Sequence, residues 1–489
     1  MSGAATFVLT ILVFLVSCTS SQAQAVCGAP SDRLVCVLPQ LFNSQGGVNL
    51  PNQAHHAHFD NDFEGNTAAL TASVGTELTS LRLASPASGV IFTFDKTLGV
   101  MKRSTESYGP ILGERAETLG RHRVFFAATY QFFPFSTLDG IDLKHVPAVY
   151  RHVDGLNPDG TKRNPAVDPP SPGQPGVELE YINTTTRIDL KVHQVTFFAN
   201  YGLTNRIDLS VAVPVLNVRM GATSHATIVR TADPIAQGPP LQQAWQQSPT
   251  TLPGILYPST GPAEGCAPNC SGYFHYFDPN NPATSLTDTF ANFHTATGLG
   301  DVILRVKATL LKGERAAAAL GTDVRVPTGD EKNFLGSGAP GVKPFIAASY
   351  RARVSPHVNI GYEFNGSSIL AGSLTTGQKG RLPDQFFYSG GVDVGFTKRL
   401  TCALDLLGER LYGAPHVVEG PFVDTVGVSH PDIPQTTQTH RSFNVNDLAV
   451  GAKIHPGGNF LLTGNVQFKL DRGGLRAKVV PLGGISYTF

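Results

Sequence analysis

His55-His56-Ala57-His58, followed by Asp60 and Asp62, gathers imidazoles and carboxylates in one short run. Imidazole suits zinc or copper, so the run is a candidate metal site. The simpler reading is a solvated His-rich loop, and no cofactor is assigned. Asp154-Gly155-Leu156-Asn157-Pro158-Asp159-Gly160 has the composition of a calcium loop. Its register fails, because the first ligand of the Asp-x-Asn-x-Asp-Gly pattern would fall on Gly155. No Gly-x-Ser-x-Gly elbow, phosphate loop or dinucleotide fingerprint stands in context. His193, His357 and His455 occupy inward or rim positions, none within a local motif that also carries a nucleophile and an activating carboxylate. No catalytic residue is assigned, and the chain is not read as an enzyme.

The elements that carry these residues are strands. In Ile207–Val215 the apolar residues alternate with Arg206, Asp208 and Ser210; Val302, Leu304, Val306 and Leu310 oppose Asp301, Arg305, Lys307 and Thr309. The same period of two runs through 357–364, 459–470 and the last residues up to Phe489. Charges recurring on one side of long strands call for a wet lumen. Of the 489 residues, 41% are hydrophobic and 15% charged, yet no long apolar run follows the N-terminus. A helical membrane protein needs about 20 apolar residues per span, so that class is excluded. With 37 basic and 37 acidic residues, nucleic acid is not an implied partner.

Short connections at 202–206, 311–315, 353–357, 397–401 and 455–459 alternate with long polar ones at 134–176, 231–292, 328–341, 373–381 and 414–439. Outer-membrane barrels have that asymmetry, with short periplasmic turns and long external loops. The expected fold is therefore an all-β antiparallel transmembrane barrel of about 14 strands (roughly 12–16). It counts segments around 77–83 and 89–95 as the first two strands. A helical turn is expected at Gly113–Gly120, and a bulge near His193-Gln194, where the apolar side switches parity.

Residues 1–25 read as a signal peptide cut after Ala25, with lipidation at Cys18 as the rival. Residues 26–76 follow as a periplasmic segment or lumen plug, and 77–489 as the barrel. Cys27 with Cys36, and Cys266 with Cys270, form two local pairs expected as disulfides in an oxidising compartment. Cys402 is left over as a small apolar residue. Lumen-lining candidates are Arg187, Asp189, Lys191, His193, Arg305, Lys307, Arg325 and Glu363, with the inward rings Phe125 and Phe133. Both signs are present, so wall cross-links are expected. Inward rings would suit the path of an apolar solute or pack on a plug.

Tyr201-Gly202-Leu203-Thr204-Asn205-Arg206, then Gly298-Leu299-Gly300-Asp301, Val326-Pro327-Thr328-Gly329-Asp330 and Leu335-Gly336-Ser337-Gly338 follow one another in order. In these blocks the chain resembles the outer-membrane barrel family typified by the protein of the meta-pathway of phenol degradation. Asn205 stands where that pattern carries Asp. The resemblance covers roughly 187–489. It implies a transporter distantly similar to channels for fatty acids and aromatic hydrocarbons, and it carries over no ligand residues. The expected function is an outer-membrane channel for small hydrophobic or aromatic molecules, with a barrel-anchored structural or adhesive protein as the alternative. Expected partners are the lipid bilayer, a small solute and the barrel-assembly machinery, reached through the strand ending at Phe489.

Overall fold

The computed structural model describes residues 26–27, 31–42, 48, 50, 62–80, 92–95, 100–103, 107–151, 181–229, 276–278, 280–281, 285–374, 376–423 and 429–489. The expected signal peptide, the His55–His58 run, the Asp154–Gly160 loop and the Cys266–Cys270 pair lie outside them.

Twelve strands close into one antiparallel barrel. They are β1 (Val124–Leu138), β2 (Tyr181–Gly202), β3 (Ile207–Val229), β4 (Val302–Lys312), β5 (Ala316–Val326) and β6 (Gly341–Tyr350). They continue as β7 (Val354–Asn365), β8 (Gln385–Gly395), β9 (Leu400–Val423), β10 (Ser429–Ile454), β11 (Phe460–Lys469) and β12 (Val479–Thr488). β1 pairs with β2 on one edge and β12 on the other, which closes the ring. Closure leaves no lipid-exposed edge within the ring, the condition for strands to cross a bilayer. Four further strands, Ile141–Asp142, Val146–Arg151, Thr287–Leu299 and Leu475–Ala477, extend the sheet outside the ring.

The barrel thus has 12 strands rather than the about 14 expected. Glu77–Ser80 ends helix α1 (Asp62–Ser80), and among the described residues Phe92–Asp95 pairs with Val100–Arg103, apart from the barrel sheet. Leu70, Val74 and Leu78, four apart, share one face of α1. The boundary expected between 76 and 77 therefore falls inside a helix.

β5 to β8 have 10–12 residues, close to the about 9–11 a tilted strand needs to cross the hydrocarbon. β2, β3, β9 and β10 have 22, 23, 24 and 26, so they project well beyond it at the long-loop end. The stretch 414–439, expected as a loop, is mostly the outer half of the β9–β10 hairpin. Exposed Phe197, Leu209, Leu304, Ile346, Ile360, Leu404, Val450 and Ile485 belong to the outer apolar band. A closed barrel with such a band is an outer-membrane protein.

The expected bulge at His193-Gln194 is absent: β2 keeps unbroken register with β3 from Tyr181↔Val229 to Gly202↔Asp208. The parity of apolar residues switches for another reason. Near the short turns the outside is lipid, so Phe197 points out. Beyond the membrane the outside is water and the inside is filled by apolar chain, so Ile188, Leu190 and Val192 point in.

Candidate functional site: the barrel interior

Two different fillings occupy the barrel. At the short-turn end, residues 107–120 lie inside the wall as bends and extended chain. No helical turn forms at Gly113–Gly120, because the wall takes the backbone groups a helix would pair. Glu114 N–H donates to Asn359 Oδ1 at 2.7 Å and Leu119 N–H to Asp208 Oδ2 at 2.8 Å. Thr309 Oγ1 donates to Ala116 O at 2.6 Å. Lys307 Nζ donates to Glu114 Oε1 (2.6 Å), Arg115 O (3.0 Å) and Glu117 O (2.9 Å).

Ion pairs tighten this clamp. Glu114 Oε2 meets Arg305 Nη1 at 2.7 Å, and Arg305 Nε meets Asp323 Oδ1 at 2.6 Å. Arg115 Nη2 reaches Asp393 Oδ2 at 2.7 Å, and His357 lies between Asp393 and Asp405, 3.5 and 2.7 Å away. Lys453 Nζ donates to Pro110 O and to Tyr108 O. Carboxylates and cations compensate one another here, as buried charges must. At the foot of the segment, a Cβ on Gly202 would stand 1.8 Å from Gly120 O, so only glycine lets the two backbones meet.

At the long-loop end the filling is apolar. Leu34, Val35, Cys36, Leu41 and Phe42 share one core with Leu70 and Val74 of α1 and with Ile188, Leu190, Leu216 and Val218 of the wall. Cys27 and Cys36 are joined by a disulfide. Phe42 meets the Tyr150 and Phe290 rings edge-on at 5.3 and 5.1 Å. Burial pushes the Tyr150 phenol well above its ordinary pKa. Leu34 N–H donates to Asn333 Oδ1 at 3.2 Å.

Of the sequence candidates, Arg305, Lys307, Arg325, Glu363, Phe125 and Phe133 lie inside. The Arg325 guanidinium pairs with Glu363. Arg187, Asp189 and Lys191 do not line the lumen: they point outward above the membrane, where Lys191 Nζ meets Asp189 Oδ2 at 2.8 Å. His193 also faces out, with Nδ1 2.8 Å from Tyr130 Oη and its ring stacked on Phe132 at 4.6 Å. Charge alternation placed these four inside only while the outer medium was taken as lipid along the whole of β2. The 107–120 segment is not legible in the sequence because most of its contacts are long-range; its one local signal is Glu114, Arg115 and Glu117.

The wall itself changes character at one seam. β12 pairs with β1 from Thr488↔Phe125 up to Leu482↔Gln131. Pairing resumes only at Ala477↔Phe135, through the short strand Leu475–Ala477. Between them no ladder pair joins 132–134 to 478–481, and Pro134 and Pro481 stand in the gap. Proline has no N–H to give a ladder. Behind the gap is a pocket whose lining includes Phe133, Phe135, Ala477, Val480, Gln467 and Glu77 of α1.

Residues 281–400 match the family model described as "Putative MetA-pathway of phenol degradation". Within that stretch the blocks noted above assemble into one knot. Asp301 accepts from Ser337 N–H at 2.7 Å, Ser337 Oγ at 2.6 Å and Gly329 N–H at 3.1 Å. A Cβ on Gly336 would stand 2.3 Å from Asp301 Oδ1. These residues hold the β5–β6 loop onto the wall. No curated protein matches the sequence. Among solved structures, an outer-membrane channel from Pseudomonas putida F1 aligns at 10% identity and TM-score 0.40, over 76% of this chain and 98% of that one. A Pseudomonas aeruginosa FadL homologue aligns at 9% identity and TM-score 0.28, over 75% and 90%. The P. putida toluene transporter TodX aligns at 8% identity and TM-score 0.29, over 75% and 89%.

Proposed function

We propose that this barrel is a channel that admits small apolar or aromatic solutes at its long-loop end and releases them sideways, through the β1–β12 seam, at the outer boundary of the membrane. The observation that carries this reading is the pairing gap at Pro134 and Pro481, backed by a pocket that includes Phe133, Phe135 and Val480. A straight path along the axis is opposed by the 107–120 segment and its clamp of ion pairs. Phe133, Phe135, Ala477 and Val480 give the pocket an apolar side on which a ring can lie, beside the polar Glu77, Glu409, Asp447, Gln467 and Arg476. Residues 31–42 and α1 act as the plug of the outer half, held by apolar burial.

The test is solute uptake by porin-deficient cells with and without the protein, on a panel from toluene to fatty acids. Val480→Trp should fill the pocket and bring uptake to the level of vector cells, while the folded barrel still shifts on a gel before and after boiling. Undiminished uptake in a folded Val480→Trp variant would sink the seam route.

The long β9–β10 hairpin favours one second reading, a barrel that anchors a surface structure. Wild-type cells that take up none of the panel faster than vector cells would favour the anchor.

A further inference from the structure

The inner wall beside the seam carries a row of neutral polar side chains with unsatisfied amide atoms. Gln131 on β1, Gln194 on β2, and Asn465 and Gln467 on β11 are all more than nine-tenths buried. Both amide atoms of Gln131 and of Asn465 lack a hydrogen-bond partner, as do Gln194 Oε1 and Gln467 Nε2. The register sets them side by side. Gln131 pairs with Gln194 across one edge and with Leu482 across the other, and Leu482 pairs with Asn465. Four adjacent strands about 4.8 Å apart make a row about 14 Å wide. Gln467, one inward step above Asn465, lines the pocket behind the seam with Phe133.

A buried amide without a partner is costly, so several in one patch call for a bound group. The partner they accept is neutral. A carboxylate would lose its water beside amides that bring no compensating charge. The nearby Arg476 guanidinium already pairs with Asp447. The ring of Phe133 lines the same pocket as Gln467.

We propose that Gln131, Gln194, Asn465 and Gln467 form a binding row for the hydroxyl or carbonyl of a small neutral aromatic solute, whose ring rests on Phe133. The row makes the channel favour such solutes over bare hydrocarbons and over carboxylates. This rests on the channel reading above and names its substrate class.

Three probes of one shape separate the possibilities: p-cresol, p-xylene and p-toluate, taken up by porin-deficient cells that express the full chain. Wild type should take up p-cresol fastest, and p-toluate no faster than vector cells do. Gln131→Leu combined with Asn465→Leu should lower the p-cresol to p-xylene ratio about tenfold, the worth of one or two hydrogen bonds. Should the double variant fail the gel-shift test for folding, Gln131→Met alone is read the same way. An unchanged ratio in a folded variant overturns the row and leaves the channel standing. Rapid p-toluate uptake overturns the preference for neutral solutes. Wild-type cells that take up neither p-cresol nor p-xylene faster than vector cells overturn the channel reading, and the row's role with it.

Discussion

The two halves of the interior are held by opposite means. Around 107–120 the contacts are directional: Lys307 serves three oxygens, and Arg305 bridges Glu114 to Asp323. Around residues 31–42 and α1 the packing is largely apolar, with the Cys27–Cys36 disulfide beside it. Apolar burial is non-directional and tolerates adjustment. Buried ion pairs do not, since removing one partner strands the other in a poorly solvating place. The lower filling should therefore fail abruptly and locally, and the upper one by degrees.

Glu114→Ala should produce the largest effect. It removes the carboxylate that faces Lys307 and one side of Arg305, at about 3–5 kcal/mol. The expected outcome is faster proteolysis within 107–120 and higher conductance in planar bilayers, with 34–42 still protected from hydrogen exchange. Loss of protection at both ends together would mean the halves are one cooperative unit. Leu34→Ala comes next, at about 3 kcal/mol for a buried leucine. It should speed exchange at 34–42 and in α1 while conductance stays at the wild-type level. Opening of the Cys27–Cys36 bridge by reductant should cost about 2.5 kcal/mol, as expected for so short a loop. Its readout is again confined to the upper half; faster cleavage at 107–120 would break the distinction. Tyr130→Phe is the smallest. It removes one exposed bond to His193, outside both fillings, and should move the urea midpoint by no more than about 1 kcal/mol in stability.

A single chain position shows how the halves were legible to different degrees. In β2 the alternation can be read directly, and so can its reversal near His193. The reversal was ascribed to a bulge, since one sequence does not say where the membrane stops. The structure shows one straight ladder crossing from lipid to water. That boundary moved Arg187, Asp189, Lys191 and His193 from the inner list to the outer surface, and left Arg305, Lys307, Arg325 and Glu363 inside. The Cys27–Cys36 bridge was legible because its partners are close in sequence. α1 was not, because its apolar stripe is thin and interrupted by Gly75 and several Thr and Ser residues.

By itself the sequence determined the class of object: alternation with period two, short turns facing long loops, and a final strand ending at Phe489. Those features are local, so each can be read from its neighbours along the chain. Phe489 in the structure donates its N–H to Val124 O at 2.8 Å, joining the end of the chain to the first barrel strand. Closure at 12 strands, the filling by 107–120, the gap at Pro134 and Pro481 and the unsatisfied amide row were decided only in three dimensions. Each depends on residues tens to hundreds of positions apart meeting across the barrel. The energies that select such meetings, ion pairing, desolvation and hydrogen bonding, act between neighbours in space.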